Sequence, residues 1–343
     1  MVSISEDSLR GRKGVIVGGG ISGLIAATVL QRAGIHATVL DKGRAIGGRL
    51  ATRRIRNPTY GEGTFDYGAQ FFSVSCSAFQ SWIDEWEQNG VVKGYSSQLT
   101  EGGMPCYQGS QGNRSLAQYL AKDLCVFTQT RVIKIIWQSP YWLVQTDGGD
   151  SFVGDFLVIT SPIPQSLVLL DCSDIVLPKE VRKRLEQVIY QRCIAILALL
   201  EKPSIIPDPG GLFLENPALA WMACNLKKGI SKGSAVTLHA PPEFSEAHWE
   251  SENSLVAAEM LNAASPWLES AVVDYQIHRW RYSRPIKFFG DLYFALREPG
   301  LLLMAGDAFS GDNPCESSFN VERAVISGSE AAGCILGLSP TFP

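Results

Sequence analysis

The sequence predicts an α/β protein in which a dinucleotide-binding domain is joined to a second, α+β domain built on an antiparallel sheet. A glycine-rich turn links a short apolar strand to an apolar helix within residues 13–41, and a second apolar strand ends in an acid near residue 307. Between them, residues 164–278 lose the dinucleotide-binding pattern and alternate strand-like runs with helices. A chain of 343 residues is long enough for two intertwined domains.

Residues 13–41 have the pattern of a βαβ unit. The β-branched run at 15–17 suits a strand buried on both faces, and apolar residues recur at helical spacing from 21 to 30. The first N–H groups of this helix, including those of Ile21 and Ser22, have no intrahelical acceptor and lie at the positive end of the helix dipole. The unit therefore predicts a turn that binds the pyrophosphate of a dinucleotide.

Three glycines and one acid make this turn a specific signal for a bound dinucleotide. Gly18 permits the tight turn, Gly20 lets the backbone approach a pyrophosphate, and Gly23 lets the helix lie close to the strand. Asp41 ends the second strand at the spacing of an acid that accepts hydrogen bonds from a ribose. A glycine-rich turn without a ligand is the alternative, and the combination of strand, helix and acid makes it the less favoured one.

A basic loop with paired glycines follows at residues 42–54. Arg49 could reach the same pyrophosphate while Gly48 keeps the backbone close, and a solvated basic loop is the alternative. Together, the GxGxxG turn, the acid and the Gly-Gly-Arg run resemble the FAD-binding half of the flavin amine oxidase superfamily. Residues 41–54 resemble its renalase-like branch, which usually has Glu at the position of Asp41.

The resemblance spans essentially the whole chain and implies a fold, a cofactor and a site. The fold is that of a two-dinucleotide-binding-domain flavoprotein of the p-hydroxybenzoate-hydroxylase-like type, with a Rossmann-like FAD-binding domain, and the cofactor is FAD bound without a covalent link. The cofactor-binding residues that it implies are Gly18, Gly20, Ile21, Ser22, Gly23, Asp41, Lys42, Arg44, Gly48, Arg49, Gly68, Val132, Asp307 and Val321. The candidate catalytic residues are Gln70, Phe71, Trp221, His239, Trp280 and Tyr282.

Residues 64–72 are predicted to form a strand interrupted by a glycine, where backbone or ligand approaches closely. They match the Asp-x-Gly-Ala-Gln segment of the family, which the resemblance places beside the flavin ring. Several candidates also have a plain structural interpretation. Phe71 can be core, His239 can be a hydrogen-bonded core histidine, and Trp221 and Trp280 can be packing residues.

The remaining pattern predicts the elements around these motifs. The predicted helices are 79–88, 116–123, 179–187 and 246–261, with Asn113 or Ser115 as the cap of the second. The predicted strands are 132–137, 142–146, 152–159, 193–200 and 234–239. We expect residues 1–78, 103–163 and 279–343 to form the FAD-binding domain, and residues 79–102 and 164–278 to form the substrate domain.

The C-terminal region is expected to return to the cofactor. A buried strand ends at Asp307, and a helix rich in Ala and Gly follows at 321–336. In the superfamily, this acid accepts hydrogen bonds from the FAD ribityl and phosphate region, and the helix begins beneath the flavin pyrimidine ring. Its positive end would stabilise negative charge on reduced flavin. Cys315 lies out of register with the linking cysteine of covalent amine oxidases, which favours an unattached cofactor.

Composition and charge exclude several classes of function. A net charge of -4 and a pI of about 5.7 give no basic field for a nucleic acid, and no Lys/Arg run indicates a membrane surface. No transmembrane segment or signal peptide is visible. The 8 cysteines form no CxxC pair and the 4 histidines no metal-binding spacing. We therefore expect a cytoplasmic protein with free thiols and no metal, as a monomer or weak dimer.

The function that the resemblance implies is an FAD-dependent oxidase. A small substrate, a dihydronicotinamide as in renalase-like relatives, would give a hydride to flavin N5, and oxygen would be the acceptor, giving hydrogen peroxide. Two alternatives remain open. One is an amine oxidase or desaturase of the same superfamily, for which Lys228 is the only candidate for a flavin-facing lysine within a matched motif. The other is a non-catalytic, flavin-dependent redox sensor.

Overall fold

A computed structural model describes residues 11–311 and 320–338 and divides the chain into two compact units. The first unit combines residues 1–48, 117–189 and 285–343, and the second combines residues 49–116 and 190–284. Each unit therefore contains segments that are distant in the sequence. Within the described residues, no helix is both long and apolar enough to cross a bilayer.

The first unit is built on a six-stranded sheet that is mostly parallel. Its strands, in spatial order, are β18 (Phe294–Leu296), β19 (Leu302–Met304), β12 (Phe156–Ile159), β1 (Lys13–Val17), β2 (His36–Leu40) and β8 (Cys125–Phe127). Only β18 runs antiparallel to its neighbour. Strand β1 lies between β12 and β2, and Val15 and Ile16, whose side chains point to opposite faces of the sheet, are both buried, as the β-branched run predicted.

Helices cover the sheet of the first unit. Helix α1 (Ile21–Arg32) follows β1, and the last described helix, α8 (Asn320–Leu336), packs against it. Small residues on both helices allow this close approach, because a Cβ on Gly328 would lie 2.3 Å from the carbonyl oxygen of Ser22. The unit also contains the three-stranded sheet β11 (Ser151–Gly154), β10 (Tyr141–Thr146) and β9 (Val132–Gln138), and the helices α4 (Ile163–Cys172) and α5 (Lys179–Glu186).

The second unit is built on a five-stranded antiparallel sheet. Its strands, in spatial order, are β14 (Gly211–Asn216), β15 (Leu219–Cys224), β16 (Ala235–His239), β13 (Ile189–Leu200) and β17 (Val272–Lys287). Helix α7 (Asn253–Leu268) buries Val256, Met260 and Ala264 in the same apolar core as one face of this sheet. The other face packs on the hairpin β3 (Thr52–Asn57) and β4 (Gly61–Asp66).

Shorter elements complete the second unit and its borders. They are β5 (Phe72–Ser73), β7 (Cys106–Gly109) and β6 (Val92–Gly94), which form one small sheet, with the helices α2 (Ser77–Gln88), α3 (Arg114–Ala121) and α6 (Pro242–Ala247). Two short 3-10 helices lie at Ser97–Leu99 and Glu101–Gly103.

Two elements that the sequence predicts as continuous are each divided in the structure. The predicted strand at 152–159 is divided, because β11 pairs with β10 in one sheet whereas β12 joins the parallel sheet. The predicted helix at 246–261 is also divided, into α6 and α7, since the chain leaves helical geometry at His248. The sequence carries a local signal at each break, because Gly154 and Asp155 interrupt the first apolar run and residues 250–253 are polar.

The compact units also differ from the expected domain boundaries. The sequence predicts residues 49–78 and 103–116 in the FAD-binding domain, whereas their contacts group them with the antiparallel sheet. The physical reason is the hairpin β3–β4, which buries Phe65 and Ile55 against Leu197 and Leu199 of β13. The boundaries of independently folding domains remain a prediction.

The helix contact within the first unit gives a stability prediction. Gly328→Ala should lower the melting temperature, because its methyl group would overlap the carbonyl oxygen of Ser22, and overpacking of this kind costs roughly 1–3 kcal/mol. Gly333→Ala in the same helix is the matched control, since the nearest atom would lie 4.0 Å away. It should be neutral or stabilising by roughly 0.5–1 kcal/mol. Equal melting temperatures for the two variants would contradict this packing.

Candidate functional site

The turn between β1 and α1 presents unpaired backbone donors. The first bond within α1 runs from the N–H of Leu24 to the carbonyl of Gly20, so the N–H groups of Ile21, Ser22 and Gly23 have no acceptor among the described residues. The Oγ atom of Ser22 is also buried without a partner there. No acidic side chain occupies the first turn of the helix. This combination suits an anion such as a pyrophosphate.

The three glycines of the turn have separate physical roles. Gly18 has φ +115, and Gly23 lies so close to the strand that a Cβ would be 2.1 Å from the carbonyl oxygen of Gly18. Gly20 is different, because a Cβ there would meet nothing within 4 Å and its φ of -74 is ordinary. The fold itself therefore requires Gly18 and Gly23 but leaves open space beside Gly20, as a dinucleotide-binding turn would.

Asp41 organises the loops that surround this turn. Its Oδ2 accepts the N–H of Gly19 at 2.6 Å, and its Oδ1 accepts the N–H of Gly43 at 2.6 Å. Gly47 then donates to the carbonyl of Gly19 at 2.8 Å, which brings the second glycine pair against the first. Each carboxylate oxygen retains a further lone pair, so Asp41 can still accept a ribose hydroxyl.

The other cofactor residues predicted in the first unit have different surroundings. Lys42 donates to Oε1 of Gln165 at 2.8 Å, and partial burial, followed by the nearby charge of Arg131, lowers its pKa. Arg44 is exposed, and Val132 begins β9 with a partly buried side chain. None of these three side chains is excluded from a cofactor contact, which remains a prediction.

The end of β19 is tied to α8. The N–H of Gly306 donates to Oγ of Ser327 at 2.8 Å, and Asp307 is buried directly after this glycine. Val321 lies in the first turn of α8 and is buried. The predicted strand, acid and helix therefore occur in the expected order. Cys315 lies outside the described residues.

In the second unit, Arg49 and Gly68 lie together. A Cβ on Gly68 would be 2.0 Å from the carbonyl oxygen of Arg49, so only glycine fits there. The Nη1 atom of Arg49 donates to the carbonyl of Ser283 at 3.2 Å. This close approach agrees with the interruption predicted for residues 64–72, and the cofactor contacts of both residues remain predictions.

Residues 66–70 run from the last residue of β4 into an irregular segment, and each of their carbonyl oxygens accepts a hydrogen bond from a side chain. Gln70 Nε2 donates to the carbonyls of Asp66 at 2.8 Å and Gly68 at 3.2 Å, and Thr237 Oγ1 also donates to that of Asp66 at 2.9 Å. The other carbonyl oxygens accept from Trp280 Nε1 and His239 Nε2 at Tyr67, at 2.8 and 3.1 Å, from Asn113 Nδ2 at Ala69, at 2.6 Å, and from Lys228 Nζ at Gln70, at 2.8 Å. A buried backbone without a ladder partner needs such donors.

A buried ion pair lies at the start of this segment. Lys228 Nζ is 3.6 Å from Asp66 Oδ2, and both side chains have 0% exposure. Asp66 Oδ1 also accepts Thr52 Oγ1 at 2.5 Å and the N–H of Asn113 at 2.9 Å. Burial raises the pKa of Asp66 and lowers that of Lys228, while the attraction between the two charges opposes both shifts. Lys228 thus supports the segment by donating a hydrogen bond to the carbonyl of Gln70 and by forming an ion pair with Asp66.

His239 belongs to the same network. Its Nε2 lies 3.1 Å from the carbonyl oxygen of Tyr67, and because a carbonyl can only accept, Nε2 carries the proton. Desolvation lowers the pKa of His239 to about 4, so the ring is neutral at pH 7. The interpretation of His239 as a hydrogen-bonded structural histidine therefore agrees with its surroundings.

The other candidate catalytic residues fall into separate groups. Trp280 stacks on Tyr67, with ring centroids 5.3 Å apart, and Tyr282 instead packs edge-on against Tyr190 at 5.5 Å. Phe71 and Trp221, with ring centroids 5.7 Å apart, belong to a third group. The structure therefore joins Gln70, His239 and Trp280 through residues 66–70 but places Tyr282 elsewhere.

Phe71 and Trp221 belong to an aromatic cluster that also contains Tyr95 and Phe213. Phe71 contacts all three other rings at centroid distances of 5.7–6.4 Å, and Phe213 meets Trp221 at 4.6 Å. Tyr95 Oη and Trp221 Nε1 are buried and have no partner among the described residues. Phe213 is 59% exposed, so the cluster reaches solvent.

Sequence reasoning missed the partners of these residues. Asn113 was predicted as a possible helix cap, but its Oδ1 accepts the N–H of Gly109 and its amide supports Ala69. Tyr95 and Phe213 had no signal, since each lies outside the matched motifs. Lys228 was visible within a motif, and its buried partner Asp66 could have been suspected from the Asp-x-Gly-Ala-Gln match.

Two family models match this chain. The model described as a flavin-containing amine oxidoreductase matches residues 56–336, and that of an NAD(P)-binding Rossmann-like domain matches residues 16–86. Among curated proteins, renalase of Mus musculus is 26% identical over 331 residues, which cover 89% of this chain and 95% of renalase.

Solved structures agree on the fold. A putative protoporphyrinogen oxidase from Exiguobacterium sp. 255-15 has a TM-score of 0.70 at 15% identity and covers 96% of this chain and 99% of its own. A putrescine oxidase variant from a redesign of cofactor binding has a TM-score of 0.69 at 15% identity, with 95% and 99% covered. At this identity the similarity concerns the fold alone. The open space at Gly20 and the unpaired donors of α1 agree with a flavin dinucleotide.

The open space at Gly20 gives a prediction for cofactor retention. Gly20→Ala should fold normally, because its methyl group meets no atom, but should weaken FAD binding about tenfold or more, a loss of about 1.4 kcal/mol. Flavin absorbance after gel filtration and the melting temperature of the apoprotein measure the two effects. Gly94→Ala, at another open glycine with ordinary φ, is the control. Unchanged flavin content in Gly20→Ala would contradict the assignment.

The surroundings of His239 give a prediction for pH dependence. Its folded pKa of about 4 lies below the unfolded value of 6.5, so the unfolded chain binds more protons between these limits. The contribution of His239 to the free energy of unfolding is therefore fully present above pH 6.5. It is lost as the pH drops towards 4, by up to about 3 kcal/mol. His278, with a pKa also lowered to about 4 by burial, acts in the same direction.

Chemical denaturation at a series of pH values measures this dependence. His239→Gln keeps an N–H donor for Tyr67 but cannot titrate, so stability should fall less steeply with decreasing pH in this variant. His36→Gln, at an exposed position, should retain the wild-type slope. The same slope in all three proteins would show that His239 does not titrate in this window.

Proposed function

This chain belongs to the flavin-containing amine oxidoreductase family as a renalase-like member, and from that membership we propose an oxidase that acts on a dihydronicotinamide. The chain is an FAD-dependent oxidoreductase; the substrate and the acceptor, oxygen, are the proposed parts. The resemblance of residues 41–54 to the renalase-like branch supports this substrate class. Bound FAD supplies the hydride acceptor and the reaction with oxygen that yields hydrogen peroxide.

The observation that carries the proposal is that the polar side chains around residues 66–70 are engaged with backbone. The imidazole N–H of His239, the amide of Gln70 and the indole N–H of Trp280 each donate to a carbonyl oxygen. The pKa of His239 is also about 4, so this ring is a poor base at neutral pH. Such a site suits a substrate that is already a hydride donor and needs no proton removed.

The residues of the chain would therefore bind the cofactor and position the substrate. The unpaired N–H groups of Ile21 to Gly23 would hold the pyrophosphate of FAD, and Asp41 would accept from its ribose. The rigid 66–70 segment would fix the neighbouring Phe71 ring against a substrate. Holding donor and acceptor in one orientation removes a large part of the entropic barrier to hydride transfer.

Anaerobic mixing of the purified holoenzyme with candidate donors tests the proposal. The 2- and 6-dihydro isomers of NADH and NADPH should bleach the flavin absorbance, whereas the ordinary 4-dihydro forms and putrescine should not. Admission of oxygen should restore the absorbance with one hydrogen peroxide per flavin. His239→Gln is the matched variant and should bleach at the wild-type rate, since the imidazole N–H acts on backbone.

Each other outcome selects a different function. Bleaching by putrescine or another amine alone would replace the proposal with an amine oxidase. Bleaching by none of the donors would favour a redox sensor, and loss of bleaching in His239→Gln with full flavin content would show that the imidazole acts on substrate.

A further inference from the structure

We propose that Phe71, Tyr95, Phe213 and Trp221 form a subsite that binds a planar, uncharged aromatic ring carrying an amide carbonyl. These four residues are called the aromatic cluster. The inference deepens the proposed function, on which it rests, because it names the side chains that would select such a substrate. All four residues belong to the second compact unit.

The aromatic cluster is partly exposed to solvent through Phe213. Phe71 contacts Phe213 at an interplanar angle of 88° and Trp221 at 53°, so the rings do not close into a single stack. Phe213 is 59% exposed on strand β14, which is an edge strand of its sheet. Aromatic faces that are partly open to solvent can accept another planar ring by stacking or edge contact.

Two hydrogen-bond donors in the cluster remain unused. Tyr95 Oη and Trp221 Nε1 are buried and have no hydrogen-bond partner among the described residues. Trp221 as a whole is only 5% exposed. Burial, with Cys106 and Cys224 nearby, raises the pKa of Tyr95, so its hydroxyl stays protonated. A buried polar group without a partner is costly, and an acceptor on a ligand would remove that cost.

The Tyr95 hydroxyl and the six-membered ring of Trp221 both border Gly211. The position of a Cβ on Gly211 would be 2.9 Å from Tyr95 Oη and 3.0 Å from Trp221 Cζ2, so these two atoms are at most about 5.9 Å apart. The phenol and the indole are therefore neighbours that can contact the same ligand ring. A carboxamide is a planar substituent with a strong carbonyl acceptor.

The charges around the cluster disfavour an ammonium ligand. Lys228 Nζ lies 5.6 Å from the centre of the Tyr95 ring, and Lys93 Nζ donates to the carbonyl of Lys228 at 3.1 Å. The carboxylate of Asp66 is fully buried and already forms an ion pair with Lys228. A second cation would be repelled without gaining an anionic partner, whereas a neutral amide ring meets no such penalty.

Calorimetric titration of the holoenzyme with nicotinamide tests the inference without turnover. Tyr95→Phe and Trp221→Phe each keep an aromatic ring and delete one donor, so each should raise the dissociation constant of nicotinamide about 5- to 10-fold. Trp86→Phe is the matched control, because it deletes another buried indole N–H without a partner, outside the cluster. It should bind nicotinamide as the wild type does. Benzylammonium should bind more weakly than nicotinamide to all four proteins.

Three results would overturn the subsite. They are equal nicotinamide affinity in the wild type, Tyr95→Phe and Trp221→Phe; tighter binding of benzylammonium than of nicotinamide; and no binding of nicotinamide to wild-type holoenzyme. If Trp221→Phe fails to retain flavin, Tyr95→Phe alone decides, since only its hydroxyl is lost.

The proposed function can fail separately. Nicotinamide binding that depends on Tyr95 and Trp221, in a protein that no dihydronicotinamide bleaches, would keep the subsite and remove the oxidase activity. Bleaching by the 2- or 6-dihydro isomers at equal rates and half-saturating concentrations in all variants would keep the activity and remove the subsite.

Discussion

The buried contact between Asp66 and Lys228 is the interaction on which the second unit depends. Both side chains are fully buried, and charges taken out of water are costly unless they are paired and hydrogen-bonded. Here Lys228 also donates to the carbonyl of Gln70, and Asp66 also accepts from Thr52 and Asn113. The pair therefore fixes both ends of residues 66–70. Removal of either partner would leave a buried charge and a backbone segment without support.

This constraint explains why polar side chains near the proposed reaction site donate hydrogen bonds to backbone carbonyl oxygens. Residues 67–70 follow β4 and belong to no strand, so side chains supply the donors for their carbonyl oxygens. Gln70, His239 and Trp280 do this. Their apparent suitability for catalysis and their structural task have the same origin, since a good hydrogen-bond donor is useful for either.

The dinucleotide-binding turn follows a different physical rule, because its parts are local. Gly18 and Gly23 are required by the backbone itself, whereas Gly20 leaves space that nothing in the protein fills. Asp41 connects this turn to the next loop through two backbone N–H groups. One short stretch of sequence thus contains nearly all the information for the turn and for the unpaired N–H groups that begin α1.

The sequence by itself determined the βαβ unit, the strand that ends before Asp307, the family and the flavin cofactor. Each depends on residues close together in the chain, where spacing fixes geometry. Only the tertiary structure decided that β11 and β12 separate, that residues 49–78 pack with the antiparallel sheet, and that Tyr95 and Phe213 join Phe71 and Trp221. These outcomes depend on contacts between distant segments, for which local patterns carry no information about the partner.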